Sequence, residues 1–400
     1  MRVALWNGSG LENVGDRLID AVTRRELQLR LPEAEFHSFS PWPGTFTRQR
    51  LTIDREGYWN AHGQFDVIVV GGGALITGPP FSDPAAQFFL FGPYPERFHD
   101  TAMVMWNAMC SDGQTLAPSK EHWRNFICEA ARQVTLLTVR NASTSSYLRQ
   151  CGVTAPISIV PDVAVLAAQP LSFADRPGKL RIGIAPGRPI FPQNFLSEIK
   201  ANVEVIEDSV DESVMRRFRY CPPGRFDDDE YAETLAALLK EITRAEFTVF
   251  GSDCMYGDAI PARLLAHKIP HTSYVHWRDA LGSDMIASMR QMDCVITFRL
   301  HASITALAAG TPFIAVDLYK GSAGGTSKLS EFMNETGLAS SYTTLDALTR
   351  DTKHLSHLVA NAVAQGRERV KDAHSRLAAK ARDHFDLMAE RIAAHALAFY

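Results

Sequence analysis

The chain has 400 residues, 46% of them hydrophobic and 22% charged, a balance that excludes a disordered, collagen-like or coiled-coil protein. Its length fits about two domains of roughly 150 residues, each large enough to bury a core. Lys and Arg total 41 against 45 Asp and Glu, a formal charge of −4, so no basic excess marks a nucleic-acid binder and any bound anion must meet a local cluster of cations.

In chain order, RVALWN (2–7) reads as a strand entering a glycine-containing turn, and a helix from about Asp16 to Leu31 leads to a strand at EFHSFS. FDVIVVGGG (65–73) is an apolar β-branched run that ends in three glycines. TLLTVR (135–140) feeds a helix through Tyr147 and Leu148, and ISIVPD (157–162) is a further strand. The segment 168–179, AQPLSFADRPGK, is rich in Pro, Asp and Gly without periodicity and is the predicted linker. The alternation restarts with LRIGIAPG (180–187), a helix over 227–245 and FTVFGS (247–252). MIASMRQ, CVITFR (294–299), HASITALAAG and PFIAVDL (312–318) follow, and the last stretch of about 50 residues is helical throughout.

Short apolar strands alternating with amphipathic helices predict an α/β fold with parallel sheets. The expected layout is a Rossmann-like domain at 1–170 on the acceptor side, a second at 180–370 on the donor side, and a C-terminal helix at 371–400 returning to the first. That is a glycosyltransferase-B-like arrangement, with a ligand cleft beside the carboxyl ends of both sheets.

Six cysteines are scattered without a C-x-x-C pair or a Cys/His ligand spacing, which argues against both a zinc site and a disulfide framework. MRVALWNGSG lacks the charged and apolar regions of a secretory signal, and no apolar run approaches the ~20 residues needed to cross a bilayer. A cytoplasmic protein is expected. Near the C-terminus, AERIAAHALAFY is modestly amphipathic, but Asp383, Asp386 and Glu390 interrupt any basic face. Docking onto the first domain is the favoured reading, with a peripheral membrane contact left open.

Doubly wound folds place their chemistry where strands give way to turns or helices, and four segments qualify. In NGSGLENVGDRLI (7–19), Asn13 and Asp16 either cap the following helix or face the cleft, and Gly15 permits close backbone approach. The spacing is not G-x-G-x-x-G, so a dinucleotide fingerprint is not supported. Gly71, Gly72 and Gly73 suit either a tight turn or an anion resting on backbone N–H groups. Arg140 ends a buried strand, where a charge is costly unless it meets an anionic ligand or a core carboxylate such as Asp162.

Arg299 and His301 form the strongest signal, at the junction of an apolar strand and an Ala-rich helix. A guanidinium, an imidazole and a helix N-terminus converging there suit a compact dianion and a proton transfer. Capping or packing is the other reading of His301. Beyond the next strand, Lys320 and Lys328 flank the loop GSAGGTS, as phosphate contacts or as solvated surface. No carboxylate cluster suggests a metal.

Taken in order, NVGDRLI, DVIVVGGGALI, VRNASTSSYLRQCG, VPDVAV and FRLHASITALAAGTPFIAVDLYK resemble the polysaccharide pyruvyltransferase family, over roughly residues 3 to 338. The resemblance implies transfer of a pyruvyl group from phosphoenolpyruvate to a sugar or lipid-linked oligosaccharide, forming a cyclic ketal, with no cofactor and no metal. Arg299, Leu300 and His301 match the family's Arg-Leu-His strand end, and Arg140 the Arg of its strand-to-helix turn. Asn13, Gly15 and Asp16 match its Asn-x-Gly-Asp, and Lys328 or Lys320 the Lys beyond the last strand. Asn141 stands where the family usually has Asp and carries no carboxylate to pair with Arg140. On this basis Arg299, Arg140 and a lysine hold the donor, with the backbone of Gly72 and Gly73 as further contacts. His301 is the general acid and Asp16 the base. A nucleotide-sugar-dependent glycosyltransferase on the same fold is the alternative, for which Asp253 or Asp258 would hold the ribose and base.

Overall fold

The computed structural model describes residues 1–6, 14–40, 51–52, 65–71, 104–108, 125, 128, 131–132, 134–168, 178–187, 228–251, 258–275, 282–318 and 327–398. The described strands form two parallel sheets. The first contains β1 (Arg2–Trp6), β2 (Glu35–Ser40), β3 (Leu51–Thr52), β4 (Val67–Gly71), β5 (Val104–Ala108), β6 (Val134–Val139) and β7 (Ser158–Ile159), in the order β3-β2-β1-β4-β5-β6-β7. The second contains β8 (Leu180–Ala185), β9 (Ala245–Phe250), β10 (Ser273–Val275), β11 (Cys294–Thr297), β12 (Phe313–Asp317) and β13 (Tyr342–Thr344), in the order β10-β9-β8-β11-β12-β13. Each repeats the 3-2-1-4-5-6 order of a Rossmann domain, with its direction reversal between β1 and β4 and between β8 and β11. At those two points Trp6 lies in register with Val70, and Ala185 with Thr297.

The central strands β4, β11 and β12 are buried along their whole length, as continuous apolar runs covered by helices on both faces should be. In the first lobe, α1 (Val14–Arg30) buries a stripe of Val14, Leu18, Ile19, Val22 and Leu27, and α2 (Ala142–Gln150) follows β6. A 3-10 segment (Val163–Ala167) closes this lobe. In the second lobe, α3 (Asp228–Lys240) and α4 (Ala259–Lys268) precede α5 (Gly282–Met289), which leads into β11. Then come α6 (Leu300–Ala309) between β11 and β12, α7 (Lys328–Glu335) and α8 (Leu345–Arg350). A single helix, α9 (Lys353–Ala398), completes the chain, starting ahead of the boundary at 371 expected from the sequence.

The lobes share one apolar core. Val163, Ala164, Val165 and Leu166 of the 3-10 segment pack in one cluster with α1, with Ile304 and Leu307 of α6, and with Leu377, Ala381, Phe385 and Ile392 of α9. At roughly 2 kcal/mol for each fully buried Val, Leu or Ile, this contact holds the lobes together before any polar bond is counted. A second cluster covers the other face of the second sheet and takes in Leu355, Val359 and Ala362 from the start of α9. The helix thus begins on the second lobe and ends on the first. There Arg30 Nε donates to Asp386 Oδ1 at 2.6 Å, and His374 Nε2 lies 3.0 Å from the Val165 carbonyl oxygen and 3.1 Å from that of Ala168. Among the described residues no helix is long and apolar enough to cross a membrane.

Candidate active site at the lobe junction

Helix α6 is apolar almost all round, so it must be covered on every side. Ala302, Ala306, Ala308 and Ala309 keep it thin enough to lie between its own sheet and the first lobe. Its first turn therefore opens at the junction, beside the carboxyl end of β11. Arg299 occupies the N-cap position, and Leu300, 8% exposed, and His301 begin the helix.

Arg299 is not turned out as an open clamp. Its Nε and Nη2 donate to Asp258, with Nε–Oδ2 at 2.9 Å and Nη2–Oδ1 at 2.7 Å, and the Asp258 side chain is fully buried. Asp258 is the N-cap residue of α4 but makes no side-chain cap bond. On the far side Gly187, just beyond β8, packs against the stem, since a Cβ there would lie 3.0 Å from Arg299 Nε. The guanidinium is thereby fixed at the β8/β11 reversal point with a sixth of its side chain exposed.

Arg140, at the end of β6 on the first lobe, has the core carboxylate partner that the sequence offered and a second one, His301, that it did not. Its Nη1 donates to Asp162 Oδ2, and the same nitrogen lies 3.3 Å from His301 Nε2. Arg140 and Asp162 are both buried, and among the described residues the buried Arg140 Nε has no hydrogen-bond partner. Asn141 does not take part. It caps α2, its Oδ1 accepting from Thr144 N at 3.0 Å, so the carboxylate that pairs with Arg140 comes from Asp162 instead.

These contacts determine how protons are distributed. A guanidinium always donates, so for Nε2 to bond Arg140 the ring must be neutral with its proton on Nδ1. Burial pushes the His301 pKa down to about 4, and the charges of Arg140, Lys328 and Arg299 push the same way against Asp162. The imidazole is therefore neutral at neutral pH in the ligand-free protein, where the sequence expectation needed a protonated one. Asp162 behaves oppositely. Burial raises its pKa, but Arg140, His301 and the hydrogen bond from Ala164 N outweigh it and leave the carboxyl below its usual range.

Asp16 sits in the first turn of α1, 9% exposed. Burial raises its pKa to about 7, with Asp162 adding to the rise and Arg140 and Lys328 opposing it. Gly15 precedes it and packs against His301 without room for a side chain. Lys328 begins α7 and lies near enough for its charge to act on both Asp16 and His301. Its position is set from below, where Ser327 caps α7 and also bonds Asp317 at the end of β12. One turn further along α7, Glu331 Oε2 accepts from Ser143 Oγ of α2 at 2.8 Å, a second polar contact between the lobes.

Residues from β6, α1, α6 and α7 thus meet at one point: Arg140, Asp16, His301 and Lys328, with Arg299 alongside. Asn13, Gly72, Gly73, Lys320 and Asp253 lie outside the described residues. The sequence reading gave no role to Asp258 as the partner of Arg299, or to Glu331 and Ser143. In the sequence Asp258 stands out only as a contact for a nucleotide. Among the described residues no group of three or more His, Cys, Asp or Glu side chains is arranged to hold a metal ion.

The family model described as polysaccharide pyruvyl transferase matches residues 13–318. The chain belongs to that family. The match spans Asp16, Arg140, Asp162, Asp258, Arg299 and His301, so the whole junction except α7 lies inside the family region. No curated protein sequence matches the chain. Among solved structures, UDP-GlcNAc 2-epimerase from Neisseria meningitidis bound to UDP-GlcNAc superposes with a TM-score of 0.52 at 8% identity, covering 98% of this chain and 100% of that one. The UDP co-structure of MnaA from S. aureus gives 0.50 at 9% identity, covering 94% of each chain. At such identities the likeness speaks for the fold alone, two Rossmann-like lobes in a glycosyltransferase-B-like arrangement.

Proposed function

We propose that this family member transfers the pyruvyl group of phosphoenolpyruvate onto a sugar of a polysaccharide or of its lipid-linked precursor, closing a cyclic ketal on two hydroxyls. The observation that carries the proposal is the 3.3 Å contact between Arg140 Nη1 and His301 Nε2 across the lobe junction. It brings a permanent cation from one lobe and a proton carrier from the other to a single point. Arg140 Nε supports the same reading. A buried donor without an acceptor costs about 1–3 kcal/mol, which an oxygen of the donor's carboxylate or phosphate would offset.

Phosphoenolpyruvate brings roughly two to three negative charges at neutral pH. Placed among Arg140, Lys328 and Arg299, it offsets the cations that help depress the His301 pKa, so the imidazole takes up a proton as the donor binds. His301 then delivers that proton to the methylene carbon, leaving positive charge on the carbon that bears the phosphate. A sugar hydroxyl adds there and gives its proton to the Asp16 carboxylate. The phosphate leaves with the electrons of its C–O bond, and a second hydroxyl closes the ketal, its proton passing to the departing phosphate. The atoms balance with the donor and a diol as reactants and the ketal and phosphate as products. No cofactor or metal has a part in this scheme.

A nucleotide-sugar donor would suit the same fold, but Asp258 has its carboxylate engaged by Arg299. Phosphate release from phosphoenolpyruvate across a panel of acceptor sugars tests the proposal. Acceptor-dependent release is expected, and turnover of a nucleotide sugar with none from phosphoenolpyruvate would overturn it.

A further inference from the structure

His301 Nε2 faces two first-lobe groups at once: Arg140 Nη1 at 3.3 Å and Asp162 Oδ2 at 3.8 Å. These two are bonded to each other, Asp162 also accepts from Ala164 N at 2.9 Å, and both are buried. Asp162 is therefore fixed from two directions, and Arg140 is fixed by Asp162. The pair offers one imidazole nitrogen a donor and an acceptor side by side.

We propose that Asp162 is a positioning residue for His301. Through Arg140 it holds Nε2 of the neutral ring as an acceptor, and its carboxylate accepts a hydrogen bond from Nε2–H when the ring is charged, until that proton passes to the donor's methylene carbon. The second state needs Nε2 to move from Arg140 toward Asp162 Oδ2 by about 0.6 Å or more to reach hydrogen-bond range. Both states leave the proton on Nδ1. Since Asp162 and Arg140 belong to the first lobe and His301 to the second, the imidazole is held in this way only while the lobes are apposed.

The charged groups around His301 agree. Arg140 after β6 and Asp162 before the 3-10 segment face it from the first lobe, with Asp16 of α1 beyond Gly15. Lys328 of α7 and Arg299 at the cap of α6 act from the second. The charge of Asp162 favours the protonated form of the ring, against those of Arg140, Lys328 and Arg299. The inference about the charged state rests on the pyruvyl-transfer reading, whereas that about the neutral state does not.

Nitrogen-15 histidine spectra of the ligand-free wild-type protein at neutral pH test the neutral state with no variant needed. The His301 resonance, assigned by its loss in His301→Ala, is expected as an Nδ1–H tautomer with Nε2 unprotonated. An Nε2–H tautomer overturns the proposal. In Asp162→Asn that preference is expected to weaken, because Arg140 is no longer held against Nε2, and an unchanged tautomer also overturns it. Kinetics test the charged state. Asp162→Asn should lower kcat about 10–100-fold with the KM for phosphoenolpyruvate less affected, and should add little to the loss in His301→Ala. Additive losses overturn the positioning role. Failure of the wild type to turn over phosphoenolpyruvate would sink the pyruvyl-transfer reading and with it the charged-state half, while the tautomer result still judges the rest.

Discussion

Gly15 and His301 pack across the lobe junction so closely that a Cβ on Gly15 would overlap Cβ, Cγ and Nδ1 of the imidazole. The first turn of α1 is therefore the wall against which the ring rests, and Arg140 with Asp162 hold its other edge. One backbone position without a side chain brings the two lobes to bonding distance.

Gly15→Ala should separate these surfaces, because the atoms met belong to the root of the histidine rather than to a flexible tip. A displacement of about 1 Å in a catalytic group costs on the order of 10²-fold in rate. A fall of that size in kcat is expected, with the far-ultraviolet circular dichroism spectrum unchanged because neither sheet is touched. Wild-type turnover in this variant would show that the His301 ring position does not matter.

Asp16 makes activity sensitive to pH in a definite direction. Its pKa, raised by burial to about 7, means that the carboxylate needed to accept a hydroxyl proton is lost as pH falls through neutrality. The profile of kcat, measured with the donor saturating so that His301 already carries its proton, should fall on the acid side as Asp16 is protonated, about tenfold per unit. Asp16→Asn should abolish that limb and lower the plateau. A limb that survives the substitution belongs to another group.

The same architecture shows what a sequence reveals and what it withholds. Strands β1, β4, β6, β8, β11 and β12 are legible because a strand buried on both faces must be a run of apolar residues, and a charged residue at its end stands out. Arg140, Arg299 and His301 were found in that way. Strands β10 and β13, SYV and YTT, are short and partly exposed at the sheet edges and carry no such contrast. Asp162 was recognisable as a possible partner of Arg140 because it follows a strand. Asp258 was not recognisable as the partner of Arg299, because that pairing joins residues 41 positions apart through tertiary packing alone. Proton distribution was the least legible property. A neutral His301 and a half-protonated Asp16 follow from burial, which residue type does not disclose.

His301→Ala should reduce kcat by ~10²–10⁴-fold, the usual worth of a general acid, with donor affinity less affected. Binding of phosphoenolpyruvate to the wild type should take up protons, since His301 is neutral beforehand. Calorimetric titrations in buffers of different ionisation enthalpy read that uptake, and it should shrink in the His301 variant. Equal uptake by both proteins would assign the proton elsewhere.

Arg299→Ala should chiefly weaken donor binding, by a few kcal/mol if the anion is buried, and should take the guanidinium away from the buried Asp258 carboxylate. Arg299→Lys cannot reproduce the two-pronged bond to Asp258, so it should recover little of the loss. Calorimetric titration of both variants with phosphoenolpyruvate checks this, and full recovery by lysine would mean that only the charge counts.

His384 governs stability rather than chemistry. It lies on α9, 4% exposed, and among the described residues neither ring nitrogen has a hydrogen-bond partner. Burial alone pushes its pKa down to about 4, against ~6.5 in an unfolded chain. The unfolded state therefore binds more protons between these values. Its contribution is complete above pH ~6.5 and is lost as pH falls toward 4, to an extent of about 3 kcal/mol. His301 and His374, also shifted down, steepen the same limb. His384→Leu keeps an apolar filling at the site and removes the titration. Thermal midpoints measured between pH 8 and 4 should fall less steeply for this variant than for the wild type. Parallel curves would mean that α9 opens locally to let His384 charge without unfolding the junction that the helix covers.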